Sequence, residues 1–378
     1  MFVKLYSFIL FCVFQVSLVG ADSYRLYLGS YTRTPSEGIT LCELNAKSGE
    51  LKKLRVFPGI KNPSFLAIHP SERFLYACHE TGMTDGKKGG AVSSFSIDPE
   101  TGNLTKLNQL LTKGEGPCHL TLDPKGKSLF VANYGGGSVI SFPVSKGGRI
   151  GNSGAFFQHV GSSVDPRRQK GPHAHSINPD PSGRRVYCAD LGLDQVLVYK
   201  LLPRGKLVAE DPPFVKTTPG GGPRHLSFHP SGKFAYINLE MTSEISVFKH
   251  DPDSGKLERI QTVSTLPAKY GGNNSTAEIR VHPSGNFVYC SNRGHDSIVV
   301  FAIDLELGLL SYVEHQSSGG KTPRNFCLDP SGSFLLTANQ NSNDVHVFKV
   351  DRETGKLEPT GSSVDTPRPV CVRFVAKP

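Results

Sequence analysis

Apolar and polar positions alternate in short bursts along most of the chain, as in SVISFPV, QVLVYKL, EISVFKH, SIVVFAI and DVHVFKV. A period of two places successive side chains on opposite faces of an extended backbone, so each burst predicts a β-strand with one buried face. Turn residues bound these segments. A PSG-like turn precedes many of them, and polar turns such as DPETGNL, DPDSGKL and DRETGKL follow. Long amphipathic helical patterns are absent, so the pattern predicts an all-β protein.

The strands recur as a unit. Aligned on the PSG-like turn, the chain reads NPSFLAIHPSERFLYACHE from Asn62, GPCHLTLDPKGKSLFVANY from Gly116, GPHAHSINPDPSGRRVYCADL from Gly171 and GPRHLSFHPSGKFAYINLE from Gly222. It continues with TAEIRVHPSGNFVYCSNRG from Thr276, TPRNFCLDPSGSFLLTANQ from Thr322 and a truncated TPRPVCVRFV from Thr366. Each unit supplies strands A to D, with PSG between A and B and TG between C and D. Four antiparallel strands repeated about every 50 residues predict a propeller rather than a solenoid. The N-terminal YRLYLGSYT, GITLCELNAKSGEL and KKLRVF read as B, C and D without an A, whereas TPRPVCVRFV reads as an A alone. Pairing the two ends gives a seventh blade and closes the ring, which removes exposed edges.

Composition adds the surroundings. The 40 Gly and 27 Pro suit many turns, and the absence of Trp disfavours the WD40 class of propeller. Residues 1–21 carry Lys4, an apolar run and small residues before Asp22, which reads as a secretory signal peptide cut after Ala21. Residues 22–378 are then one exported propeller domain, with no further run long enough to span a membrane. Formal charge is +9, one unit of it Lys4. Such a balance favours anionic partners, but Lys and Arg are scattered among 33 acids, and neither zinc-finger spacing nor an RNA-binding aromatic signature occurs. A small anionic ligand is expected instead of nucleic acid. Seven cysteines remain after Cys12; most fall at repeated strand positions and read as small buried hydrophobes, without a CxxC pair.

Loops before strand A and between B and C share one face, where the repeats vary most. The position after the repeat's proline, or its equivalent, holds Ser64, Cys118, His173, Arg224, Ala277, Arg324 and Arg368, and the next includes His119, His225, Glu278 and Asn325. The B to C loops add Glu80, Asn133, Tyr134, Asp190, Glu240, Asn292, Arg293 and Asn339. Because strand A lines the channel, these side chains are expected to converge on one funnel, with His175 beside His173 in GPHAHS. Arg224, Arg280, Arg293, Arg324 and Arg368 suit planar hydrogen bonding to carboxylate or phosphate. Glu240 is either an acid/base group or a partner that orients an arginine. So many arginines disfavour a divalent cation, and neither a metal nor another cofactor is expected; GxSxG and HExxH are absent.

GPHAHS, GPRHLSFHPSGKFAY, NLE and AEIRVHPSGNFVYCSNRGHDSI resemble the seven-bladed propeller lactonases, a family that includes bacterial 6-phosphogluconolactonase and the fungal carboxymuconate-lactonizing enzyme, 3-carboxymuconate cyclase. The resemblance spans essentially all of residues 22–378. It implies a metal-free site that opens or closes a lactone ring, with the family's histidine at His175 or His173, its arginines at Arg224 and Arg280, and its acid at Glu240. Arg293, Arg324, Arg368, His225, Glu278 and Asn133 are expected to bind the substrate. Lactone hydrolysis is the leading expectation; a lactonizing cyclase and a non-catalytic binding propeller are the alternatives. Oligomeric state is not legible.

Overall fold

The computed structural model describes residues 22–34, 37–152 and 154–376. The expected signal peptide lies outside the described residues. Seven four-stranded antiparallel sheets form the blades, with inner strands Leu66–Ile68, Pro117–Leu122, Ala174–Pro179, Pro223–Phe228, Ser275–Val281, Pro323–Leu328 and Pro369–Ala376. Each inner strand packs on the next around the ring. A 3-10 turn at Pro203–Gly205 and a small hairpin, Met83–Thr84 with Lys87–Lys88, depart from the repeat among the described residues. Among the described residues no helix is long and apolar enough to cross a membrane.

Ring closure follows the expected pairing. Ser23–Ser30 lies between Gly38–Asn45 and Pro369–Ala376, with Leu28 opposite Val372. The last blade therefore takes one strand from the C-terminus and three from the N-terminus.

The repeated motifs are fasteners between neighbouring blades. Tyr27, Tyr76, Tyr187, Tyr236 and Tyr289 are each fully buried. Their hydroxyls donate to the carbonyls of Gly102, Gly148, Gly255, Gly308 and Gly355, in the C to D turn of the following blade. These glycines all have φ between 71° and 76°, a conformation that side chains with a Cβ disfavour. The histidines of the HPS turns work similarly at the other turn: Nε2 of His69, His229 and His282 bonds to the carbonyls of Gly126, Gly285 and Gly332. Each such bond contributes about 1 kcal/mol and fixes the angle at which two blades meet. All seven described cysteines are free.

Candidate active site

The inner strands do not pair smoothly with their neighbours. Register breaks fall between Pro117 and His119, Ala174 and Ser176, Pro223 and Leu226, Thr276 and Ile279, and Pro323 and Asn325. The residues left out of the ladder are Cys118, His175, Arg224 with His225, Ala277 with Glu278, and Arg324. A bulge frees a residue from ladder geometry and re-aims its side chain, which places these groups in the channel. In the closing blade the corresponding break, between Gly29 and Ser30, leaves out Val370.

This register corrects two placements. Alignment on the proline puts His173 and Arg368 at the bulge, but Ala174 and Pro369 take the strand-start position, so His175 and Val370 occupy it. His173 instead stacks on the Tyr134 ring at 4.6 Å, and its Nδ1 donates to the Tyr134 carbonyl at 3.0 Å. Tyr134 meets His175 edge-on at 5.2 Å. His173 thus supports the wall of the site.

Glu240 is the centre of one cluster. Its Oε2 accepts from Arg224 Nε at 3.0 Å and lies 2.9 Å from Arg293 Nη2; its Oε1 accepts from Arg168 Nη2 at 2.9 Å. His175 Nε2 is 3.8 Å from Oε2. Burial alone would raise this carboxyl, yet the Arg293 and Arg224 guanidiniums hold it well below the usual carboxylate range. Glu240 is therefore an anion that orients arginines and has little proton affinity. His175, buried beside Arg224, is pushed well below the ordinary imidazole value and is neutral at neutral pH.

A chain of contacts continues inward. Arg224 Nη1 donates to His225 Nε2 at 3.2 Å and to the Ala277 carbonyl, and His225 Nδ1 donates to Glu278 Oε1 at 2.9 Å. Glu278 Oε2 accepts from Arg280 Nη2 at 3.3 Å and from the Asn325 amide. Arg280 thus pairs with Glu278 and not with Glu240, the carboxylate that the resemblance grouped it with. His225 and Glu278 are nearly inaccessible. His225 holds Arg224 and also lines the inner recess, while Glu278 holds His225. Asn133 is likewise a scaffold residue: fully buried, it donates to the Thr112 carbonyl and Ser138 Oγ, much as Asn292 and Asn339 tie down equivalent linkers.

Arg168 is the site residue that repeat alignment misses. It belongs to the connection from Ala155–Gln158 to Ala174–Pro179, where no other repeat has a counterpart. Gln169, fully buried and bonded to the Leu191 carbonyl and Asp194, anchors that segment. Arg168 then reaches Tyr134 Oη at 3.1 Å as well as Glu240, with its side chain 45% exposed at the rim. The signal available in sequence was the length of this connection and its paired arginines.

Across the funnel, Tyr31 Oη donates to Glu80, 3.0 Å from both carboxylate oxygens. Arg324 and Arg368 lie over the Tyr31 ring, their guanidinium carbons 5.5 and 5.3 Å from its centroid. Between the two clusters is a narrow recess lined by Tyr31, Ser64, Phe65, Glu80, Cys118, His175, Arg224, His225, Arg324 and Val370. Its free volume of about 10 Å³ matches roughly one water-sized group. Among the described residues no group of His, Cys, Asp and Glu is arranged to hold a metal ion.

The buried imidazoles give the fold an acid limit. Burial lowers His79 and His225 to about 4, and lowers His119 and His175 well below the ordinary value. An unfolded chain binds protons at these groups near pH 6.5 while the folded protein does not, so stability falls as pH drops from about 6.5 toward 4. Glu240 and Glu278, held low by their cations, add to the loss below about 4.5. The urea midpoint is expected to be level from pH 8 to 7 and to decline steadily from pH 6.5 to 4.5. A midpoint unchanged at pH 5 would contradict this.

The channel mouth gathers guanidinium donors and a neutral imidazole around one carboxylate on a closed seven-bladed ring, an arrangement chemically able to stabilise a developing oxyanion. The profile of the family "Lactonase, 7-bladed beta-propeller" matches residues 25–374, and the chain belongs to that family. It is accordingly a lactone-hydrolysing enzyme, within the carboxylic ester hydrolases. A 6-phosphogluconolactonase of Bacillus subtilis (strain 168) is 36% identical over 93% of this chain and 98% of its own length. A 6-phosphogluconolactonase of Formosa agariphila is 35% identical, covering 80% of this chain and 86% of its own. Among solved structures, a periplasmic gluconolactonase of Pseudomonas aeruginosa superposes with a TM-score of 0.88 at 38% identity, covering 94% of this chain and 100% of its own.

Proposed function

We propose that the chain opens a sugar-acid lactone at the inner end of the funnel, with His175 as general base and Arg224 as the principal oxyanion donor. Water attacks the lactone carbonyl carbon while His175 accepts its proton. Arg224, fixed by Glu240 and His225, donates to the carbonyl oxygen as it gains negative charge. The bond from the carbonyl carbon to the ring oxygen then breaks, and the proton held by the imidazolium goes to that oxygen, leaving a hydroxy acid. Glu240, 3.8 Å from His175 Nε2, stabilises the transient imidazolium without taking the proton.

The observation that carries this reading is the pairing of a neutral, buried histidine with a carboxylate saturated by three arginines. Catalysis would need no metal. Relatives named for 6-phosphogluconolactone and for gluconolactone suggest the two first substrates. The test is pH-stat hydrolysis of 6-phosphogluconolactone and glucono-δ-lactone, corrected for the spontaneous reaction. The expected result is turnover of at least one of them and a His175→Gln variant reduced about 100-fold, within the usual contribution of a general base. Wild-type rates no better than spontaneous would overturn the assignment to these lactones.

Residues 1–21 fit an export leader, and the Pseudomonas neighbour is described as periplasmic. We read the mature enzyme as exported. N-terminal sequencing of protein recovered from the native host is expected to begin at Asp22; an intact Met1 on the active protein would reject this.

A further inference from the structure

The central channel has a second end. Phe65, His119, Ser176, His225, Glu278 and Cys371 form a layer beneath the recess, and each is at most 5% exposed, so the channel is closed at that level. Alternate residues of a strand share a face, and two positions further along the inner strands present another ring to the same channel. That ring holds Thr121, Asn178, Ser227, Arg280, Cys327 and Arg373, all partly exposed, and a seventh residue, Ala67, that is buried. Solvent therefore reaches it from the face opposite Glu240, about 10 Å further along the strands than the bulges.

Two of these positions carry guanidiniums and none carries an acid. Arg280, its side chain 34% exposed, has one ion pair, Nη2 to Glu278 at 3.3 Å, and its buried Nε has no hydrogen-bond partner among the described residues. Glu278 is shared, because it also accepts from His225 and Asn325. Arg373 lies over the Phe65 ring, 4.5 Å from its centroid, and donates through Nε and Nη1 to the Leu66 and Val372 carbonyls. It has no ion pair among the described residues. Strand Pro323–Leu328 packs between the two arginine-bearing strands and sets Cys327 between them. Burial pushes the Cys327 thiol up, and Arg373 and Arg280 both act on it in the opposite sense.

We propose that the far end of the channel is an anion-binding site, in which Arg280 and Arg373 hold a small oxyanion beside Cys327. Ser227 Oγ accepts from the Val281 N–H, which leaves its own proton to donate to the same ligand. Inorganic phosphate, sulfate and a carboxylate share the chemistry that a planar guanidinium recognises. The closed layer separates this site from the recess that takes the lactone. Arg373 belongs to the strand that closes the ring and Arg280 to the blade two before it, so an anion bridging them clasps the closing blade to its neighbours.

Inorganic phosphate, titrated against chloride at constant ionic strength, is the probe. The thermal midpoint of the wild type is expected to rise saturably, by about 2 °C or more. The same rise is expected in a double variant, Arg324→Gln with Arg368→Gln, that lacks the two arginines over Tyr31 at the other end of the channel. Arg373→Gln is expected to lose the rise while hydrolysing lactone at the wild-type rate. Cys327→Asp, which sets a carboxylate between the arginines, is expected to lose it too and keeps the test open should Arg373→Gln fold poorly. Acetate raising the midpoint as much as phosphate would make carboxylates the ligand class; no rise with acetate would make it tetrahedral oxyanions. A rise that chloride reproduces, that disappears in the double variant, or that survives in both Arg373→Gln and Cys327→Asp would overturn the proposal.

Discussion

Glu240→Ala is expected to abolish measurable hydrolysis, with a loss in kcat/KM of about 10³-fold or more, and to lower stability by about 3–5 kcal/mol. The stability term arises because Arg224 and Arg293 are themselves buried, with side chains 4% and 12% exposed, and would be left as uncompensated charges. The activity term has two sources. Arg224 would lose the bond that aims it, and His175 would lose the anion that stabilises its protonated form. Removal of one oxyanion donor alone costs about 10²–10³ in kcat. Urea titration and pH-stat assay on the same preparation measure the two effects. Glu240→Gln separates them further: it retains shape and hydrogen bonding but loses charge, so it is expected to fold better than the alanine variant while remaining nearly inactive. Activity within tenfold of wild type in either variant would show that the arginines do not need this carboxylate.

The second large effect is expected at Arg224, and from a substitution that keeps the charge. Arg224→Lys should lower kcat by about 10²–10³ while changing KM much less. Arg224 uses Nε toward Glu240 and Nη1 toward His225 and the Ala277 carbonyl, leaving Nη2 for the reacting oxygen. A lysine ammonium is a single donor centre and cannot reproduce directions set by a planar fork. Separate kcat and KM values decide the matter, because a residue acting only as a long-range charge would tolerate the change. A lysine variant within threefold of wild type would reassign the oxyanion donor, with Arg293 the next candidate.

The propeller was legible because its rules are local and repeated. Alternation marks strands, glycines mark turns, and the unmatched halves at the chain ends predict their own pairing. Even HPSG and the strand-B tyrosines, which look like turn and core residues in sequence, owe their recurrence to bonds between blades. The site was less legible for a different reason. Its residues ride on breaks in strand pairing, and proline cannot report where a ladder starts. GPHAHS and TPRPV each place a proline two residues early, which displaced His173 and Arg368 from the expected position while leaving His175 as the channel group. Arg168 was invisible to alignment because its segment has no equivalent in other repeats. The role of Glu240 depends on how many cations reach it, a property of three separate segments folded together. Asn133 shows the reverse error: polar residues at loop positions can serve the linker behind the site.

Closing the ring with the last strand also sets a time order for the enzyme's birth. Tyr31 emerges among the first residues of the folded region, whereas Arg368 and strand Pro369–Ala376 emerge last. While the chain folds, the middle blades pair locally, yet the Tyr31 wall needs strand Pro369–Ala376 and Arg368 from the far end of the chain. Losing strand Pro369–Ala376 would leave Ser23–Ser30 unpaired on one side and take Val370 from the recess, while the other six blades keep all their own strands.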